Sequence, residues 1–110
     1  MSVRTIEQVK SVINDYSSLL IEAGLPIKKV ILFGSYVNAK QTENSDLDVA
    51  VILRKFSEDK FLTRLKLMKY CRDFDEVIEP HPFLESEFNK TNPFASEILK
   101  NGITVYSFLN

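Results

Sequence analysis

The stretch from Val30 to Ile52 constrains this chain more than any other. Val30-Ile31-Leu32-Phe33 is apolar, Gly34-Ser35 follows, ten residues run from Tyr36 to Ser45, and Asp46-Leu47-Asp48 then opens a second apolar run, Val49-Ala50-Val51-Ile52. Short apolar runs bounded by small and polar residues read as strands covered on both faces. Successive strand side chains point to opposite faces, so Asp46 and Asp48 share one face while Leu47 and Val49 share the other. Two carboxylates on one rigid face make a site for a hard cation, and magnesium suits an all-oxygen site that shares its coordination with phosphates. Gly34 lets a ligand approach the backbone, and Ser35 adds a hydroxyl and an N–H in a turn suited to a phosphate. The combination points to metal-assisted nucleotide chemistry.

The flanking sequence supplies what such a site needs around it. From Thr5 to Ala23 the residues Ile6, Val9, Val12, Ile13, Tyr16, Leu19, Leu20 and Ala23 recur at three- and four-residue steps, the stripe of an amphipathic helix. Thr5 and Gln8 form its expected capping box, Gly24 its stop, and Pro26 prevents continuation. Lys28 to Phe33 is the expected first and central strand, Tyr36 to Ala39 a short helix, and Lys40 to Ser45 a surface loop in which Lys40 is a candidate phosphate contact. Asp46 to Leu53 is the second strand. A second helix is expected from Ser57 to Arg72 with Phe61, Leu62, Leu65 and Met68 on its apolar face. Phe74 to Glu79 reads as a third strand ended by Pro80-His81-Pro82, since proline cannot donate to a ladder. In that reading Asp75, Val77 and Glu79 share one face. Asn92-Pro93 then starts a helix that Asn101-Gly102 ends, and Ile103 to Phe108 is a last strand. The fold class is α/β (α+β): a small mixed sheet of three to five strands flanked by helices, with Leu20, Val30, Leu32, Val49, Val51 and Leu65 in the core.

Length and charge bound the function. At 110 residues the chain reads as one domain, 1–110, without room for a separate substrate lobe. Fourteen basic and fifteen acidic residues leave a net charge of -1, so no general positive field draws it to nucleic acid. The single cysteine, Cys71, excludes an internal disulfide and fits a reducing, cytoplasmic setting. No apolar run approaches the roughly 20 residues of a transmembrane helix, so no membrane role is expected. His81, the single histidine, lacks the neighbouring histidines or cysteines of a transition-metal site, and a contact to a phosphate or base near the site is its alternative reading.

Gly34-Ser35, ten residues, then Asp46-x-Asp48 resembles the signature of the polymerase-β-like nucleotidyltransferases, and most nearly their small stand-alone branch, the minimal nucleotidyltransferases. The resemblance covers about Val30 to Phe83. It implies a third carboxylate on the third strand, an acid one residue after an apolar residue and about five before a proline. Phe74-Asp75 with Pro80 fits that arrangement, which makes Asp75 the first choice and Glu79 the alternative. In this reading Asp46 and Asp48 hold the magnesium that bridges the nucleotide phosphates, Gly34 and Ser35 cradle their far end, and Asp75 binds a second magnesium or takes the nucleophile's proton. The family's basic residue two or three positions past the Gly-Ser pair is replaced here by Val37 and Asn38. The resemblance also implies a role as an antitoxin paired with a HEPN-type toxin, transferring AMP from ATP to a tyrosine of that partner. The competing expectation is a nucleotide- or toxin-binding module that neutralises its partner by masking it.

Overall fold

The computed structural model describes residues 5–34, 46–56, 59–74 and 78–108. Helix α1 (Ile6–Glu22) begins at the predicted capping box: Gln8 N donates to Thr5 Oγ1, and Thr5 N donates to the Gln8 side-chain oxygen at 2.8 Å. It stops where Gly24 turns to a φ of +88°, a left-handed conformation natural to glycine. The chain then enters strand β1 (Ile27–Phe33), which is followed by β2 (Leu47–Leu53), α2 (Lys60–Lys69), a 3-10 turn (Tyr70–Asp73), β3 (Ile78–Leu84), a second 3-10 turn (Glu85–Glu87), α3 (Pro93–Asn101) and β4 (Ile103–Ser107).

The four strands form one sheet in the order β3-β2-β1-β4. Strand β1 is central, antiparallel to both β2 and β4, while β2 and β3 run parallel and are joined by the α2 crossover. Alternation then sorts the side chains. Val30, Leu32, Val49 and Val51 point to one face, where Val9, Ile13, Tyr16 and Leu20 of α1 and Leu67 of α2 cover them completely. Each such side chain, fully buried, contributes about 1.5–3 kcal/mol. Ile31, Ala50, Ile52 and Phe83 point to the other face and pack against Ile98 of α3. Tyr16 Oη donates to Leu67 O at 2.8 Å, which satisfies the buried phenol and ties α1 to α2, and the buried Ser17 hydroxyl donates to Ile13 O at 2.8 Å.

Two expectations are corrected. The third strand is not Phe74–Glu79 ended by proline but Ile78–Leu84, with Pro80 and Pro82 inside it. Strand β3 is an edge, and residues two apart direct their N–H positions to the same side, so both missing donors can fall on the outer side, where no ladder is required. The second correction concerns α2: Leu65 is 47% exposed, as are Phe61, Leu62 and Met68 to similar or greater extents, while Thr63 and Leu67 face inward. Thr63 tolerates burial because its hydroxyl donates to Asp59 O at 2.8 Å, so the helix can present a narrow Thr63–Leu67 edge to the sheet.

Candidate functional site

The site grows from the sheet register. Phe33 is paired with Asp48 across β1 and β2, and Asp48 with Glu79 across β2 and β3. Reading across the sheet, the end of β1, the carboxylate of Asp48 and the carboxylate of Glu79 therefore lie side by side on three adjacent strands. Asp46 stands just before β2 and Asp48 is its second residue; both are half-buried.

Gly34 and Asp48 are one steric unit. Gly34 has a φ of +84°, and a Cβ at that position would lie 2.5 Å from Asp48 Oδ2. Only glycine both adopts this backbone and leaves space for the carboxylate. Sequence spacing alone shows a glycine and an aspartate fourteen residues apart; the antiparallel pairing turns them into neighbours.

On the other flank, Asp48, Glu79 and His81 each place one ligand-type atom within 4.8 Å of the other two. His81 Nε2 is 3.3 Å from Asp48 Oδ1, close enough for the imidazole N–H to donate to the carboxylate, and its ring packs on Phe33 with centroids 5.3 Å apart. The Glu79 carboxyl is held above the usual carboxylate range, first by a hydrogen bond shared with Asp46, then by burial and by the charges of Asp46 and Asp48. Asp46 acts on Glu79 from just before β2, and Asp48 from within it. The group within ligand reach is Asp48, Glu79 and His81, two carboxylates and an imidazole, with Asp46 acting on Glu79 from beside it; the carboxylate oxygens suit magnesium. The imidazole, a poorer magnesium ligand, is placed to orient Asp48 from outside.

Of the residues singled out in the sequence, Gly34, Asp46, Asp48 and the alternative third carboxylate Glu79 come together. Ser35, Lys40 and Asp75, with the Tyr36–Ala39 segment, lie outside the described residues. His81, read from the sequence only as a contact to a phosphate or base, is the further neighbour, placed against Asp48 instead. Its signal was the two-residue step from Glu79, which puts both on one face once the strand is allowed to run through the prolines.

A four-stranded mixed sheet with a glycine turn packed on the acids of a neighbouring strand defines a nucleotidyltransferase-type architecture. The chain belongs to the family described as "Polymerase beta, Nucleotidyltransferase", which it matches over residues 7–108. Among curated proteins it is similar to "Putative protein adenylyltransferase MJ0128" of Methanocaldococcus jannaschii, 35% identical over 71 residues, which is 64% of this chain and 69% of that protein. A second from the same organism, "Putative protein adenylyltransferase MJ0604", is 31% identical over 81 residues, 73% of this chain and 79% of that protein. The fold is similar to that of a chain in a toxin–antitoxin crystal structure with AMP-PNP, at a TM-score of 0.62 and 18% identity, covering 86% of this chain and 73% of that one. It is also similar to a chain in the complex of a tri-AMPylated Shewanella oneidensis HEPN toxin with an MNT antitoxin, at a TM-score of 0.58 and 16% identity, covering 90% of this chain and 73% of that one.

Proposed function

We propose that this chain is a magnesium-dependent adenylyltransferase that moves AMP from ATP to a tyrosine hydroxyl of a separately encoded partner protein, as the antitoxin half of a cytoplasmic toxin–antitoxin pair. The observation that carries the reading is the pairing of Asp48 with Glu79 on adjacent strands, with Asp46 two residues before Asp48, beside a turn in which Gly34 can only be glycine. Relatives named as protein adenylyltransferases and fold neighbours taken from toxin–antitoxin complexes support the acceptor class.

The residues divide the work. Asp46 and Asp48 would hold the magnesium; the third acid is Glu79, with Asp75 as the alternative. Magnesium held there would supply neutralisation of the nucleotide phosphates and of the charge that develops during transfer. Gly34 leaves the backbone open to the β- and γ-phosphates, with Ser35 and Lys40 as further contacts. His81 fixes the Asp48 carboxylate. The phenolic oxygen of the acceptor attacks the α-phosphorus, the bond from that phosphorus to the α–β bridging oxygen breaks, and pyrophosphate leaves. The third acid takes the phenol's proton. The partner must bring its hydroxyl to about 3–3.5 Å from the α-phosphorus.

Calorimetry of ATP binding with and without magnesium tests the site. Wild type is expected to bind ATP in a magnesium-dependent manner, and the Asp46→Asn, Asp48→Asn double variant to lose that dependence while its circular dichroism is unchanged. Unchanged magnesium-dependent binding in the double variant would refute the assignment.

A further inference from the structure

On the sheet face that carries the acids, α3 covers only part of the surface. Toward the β3 edge an open cleft of about 450 Å³ remains between the first turns of α2 and the His81–Phe83 segment. Its walls are aromatic. Phe83 forms the floor, Phe94 of α3 meets it edge-on with centroids 5.7 Å apart, and Phe61 of α2 stands at the lip, 69% exposed. Among the described residues its charged lining is Lys60, whose ammonium lies 5.2 Å from the Phe83 ring centroid, and Arg64, and none of the described lining residues is acidic. Among the described residues no ion pair engages either cation. The cleft is continuous with the site, because His81 lines it and touches Asp48.

Resting on the adenylyltransferase reading, we infer that this cleft is the acceptor subsite and that it takes a tyrosine flanked by acidic residues. Direction is the first argument. Displacement at phosphorus keeps the attacking and leaving oxygens roughly in line. The leaving pyrophosphate is cradled at Gly34, on the β1 side of Asp48, so the nucleophile approaches from the opposite, β3 side, where Glu79 and the cleft lie. Chemistry is the second. Aromatic walls favour a phenol ring by edge-to-face packing, and two cations at the rim that no ion pair engages among the described residues favour carboxylates beside it while opposing a basic segment. Size is the third: the cleft lies near the lower end of the roughly 300–1,000 Å³ typical of ligand sites, room for an aromatic side chain and its neighbours. Phe61 also begins the exposed apolar stripe Phe61–Leu65–Met68, which offers the body of the same partner a footing next to the cleft. The covalent step is the one given above, with the phenolic oxygen gaining the bond to the α-phosphorus, pyrophosphate departing and the third acid accepting the proton.

The test uses the full chain and two labelled synthetic peptides, a tyrosine between aspartates and a tyrosine between lysines, followed by fluorescence anisotropy. Wild type is expected to bind the acidic peptide about tenfold more tightly than the basic one. The K60E/R64E double variant should reverse that preference, Phe61→Ala should weaken both peptides, and ATP binding should be unchanged in each variant. Equal binding of the two peptides by wild type, or an undiminished preference in K60E/R64E, overturns the inference. So does a loss of ATP binding in these variants, which would make the cleft a nucleotide pocket. Peptide binding requires no transfer, so the predicted preferences without AMP on any acceptor would leave the cleft standing and remove the adenylyltransferase reading. Transfer at wild-type efficiency by K60E/R64E would do the reverse.

Discussion

Gly34 shows how one residue can carry both backbone and site. An alanine there pays about 1–2 kcal/mol for the left-handed conformation and also drives its methyl group against Asp48. Gly34→Ala is therefore expected to lower the melting temperature by about 4–8 °C per kcal/mol lost and to abolish magnesium-dependent ATP binding even at temperatures where the protein is folded. A fall in stability with normal nucleotide binding would show that Asp48 has other room. Tyr16 gives a second test at this scale. Burial, with the nearby Cys71 thiol adding to it, pushes the phenol far above its ordinary range, so the folded protein holds it protonated while the unfolded chain ionises it near pH 10. The raised value favours folding below that pH, and the contribution is lost as pH rises beyond it. Thermal denaturation between pH 8 and 11 should show a steeper loss for wild type than for Tyr16→Phe. The variant itself gives up about 1 kcal/mol at neutral pH with the bond to Leu67 O.

At the scale of elements, the signals legible in the sequence were those with local causes. The Thr5–Gln8 capping box, the Gly24 stop and the Asn92-Pro93 start of α3 each rest on residues within a few positions of one another, and each is present. The alternation at Asp46 and Asp48 is equally local. What the sequence could not show depends on neighbours in space. Pro80 and Pro82 end a central strand but not an edge strand, and only the sheet order makes β3 an edge. The broad apolar face of α2 reads as core by periodicity, yet the sheet beneath accepts only Thr63 and Leu67. Two substitutions separate these readings. Leu67→Ala should cost about 2–5 kcal/mol, while Leu65→Lys should change stability by less than about 0.5 kcal/mol. Urea denaturation giving the two similar costs would mean that Leu65 is in the core after all.

For the molecule as a whole, the near-neutral charge is consistent with the protein partner proposed above. The fourteen basic residues are balanced by fifteen acidic ones, so attraction to a phosphate backbone has no general source. Among the described residues no helix is long and apolar enough to cross a membrane. The family and the glycine–aspartate core of the site were legible because their spacing is fixed by a single strand–turn–strand unit. The third acid was not settled by spacing, because it arrives on a separate strand whose register relative to Asp48 is set by the sheet; Glu79 is the acid that the described sheet brings to Asp48. The most direct measurement is the intact mass of the partner protein after co-expression with this chain. The account predicts a partner heavier by one or more AMP groups with wild type and unmodified with Asp46→Asn; a partner neutralised equally by both forms, with no change in mass, would contradict it and leave a chain that acts by binding alone.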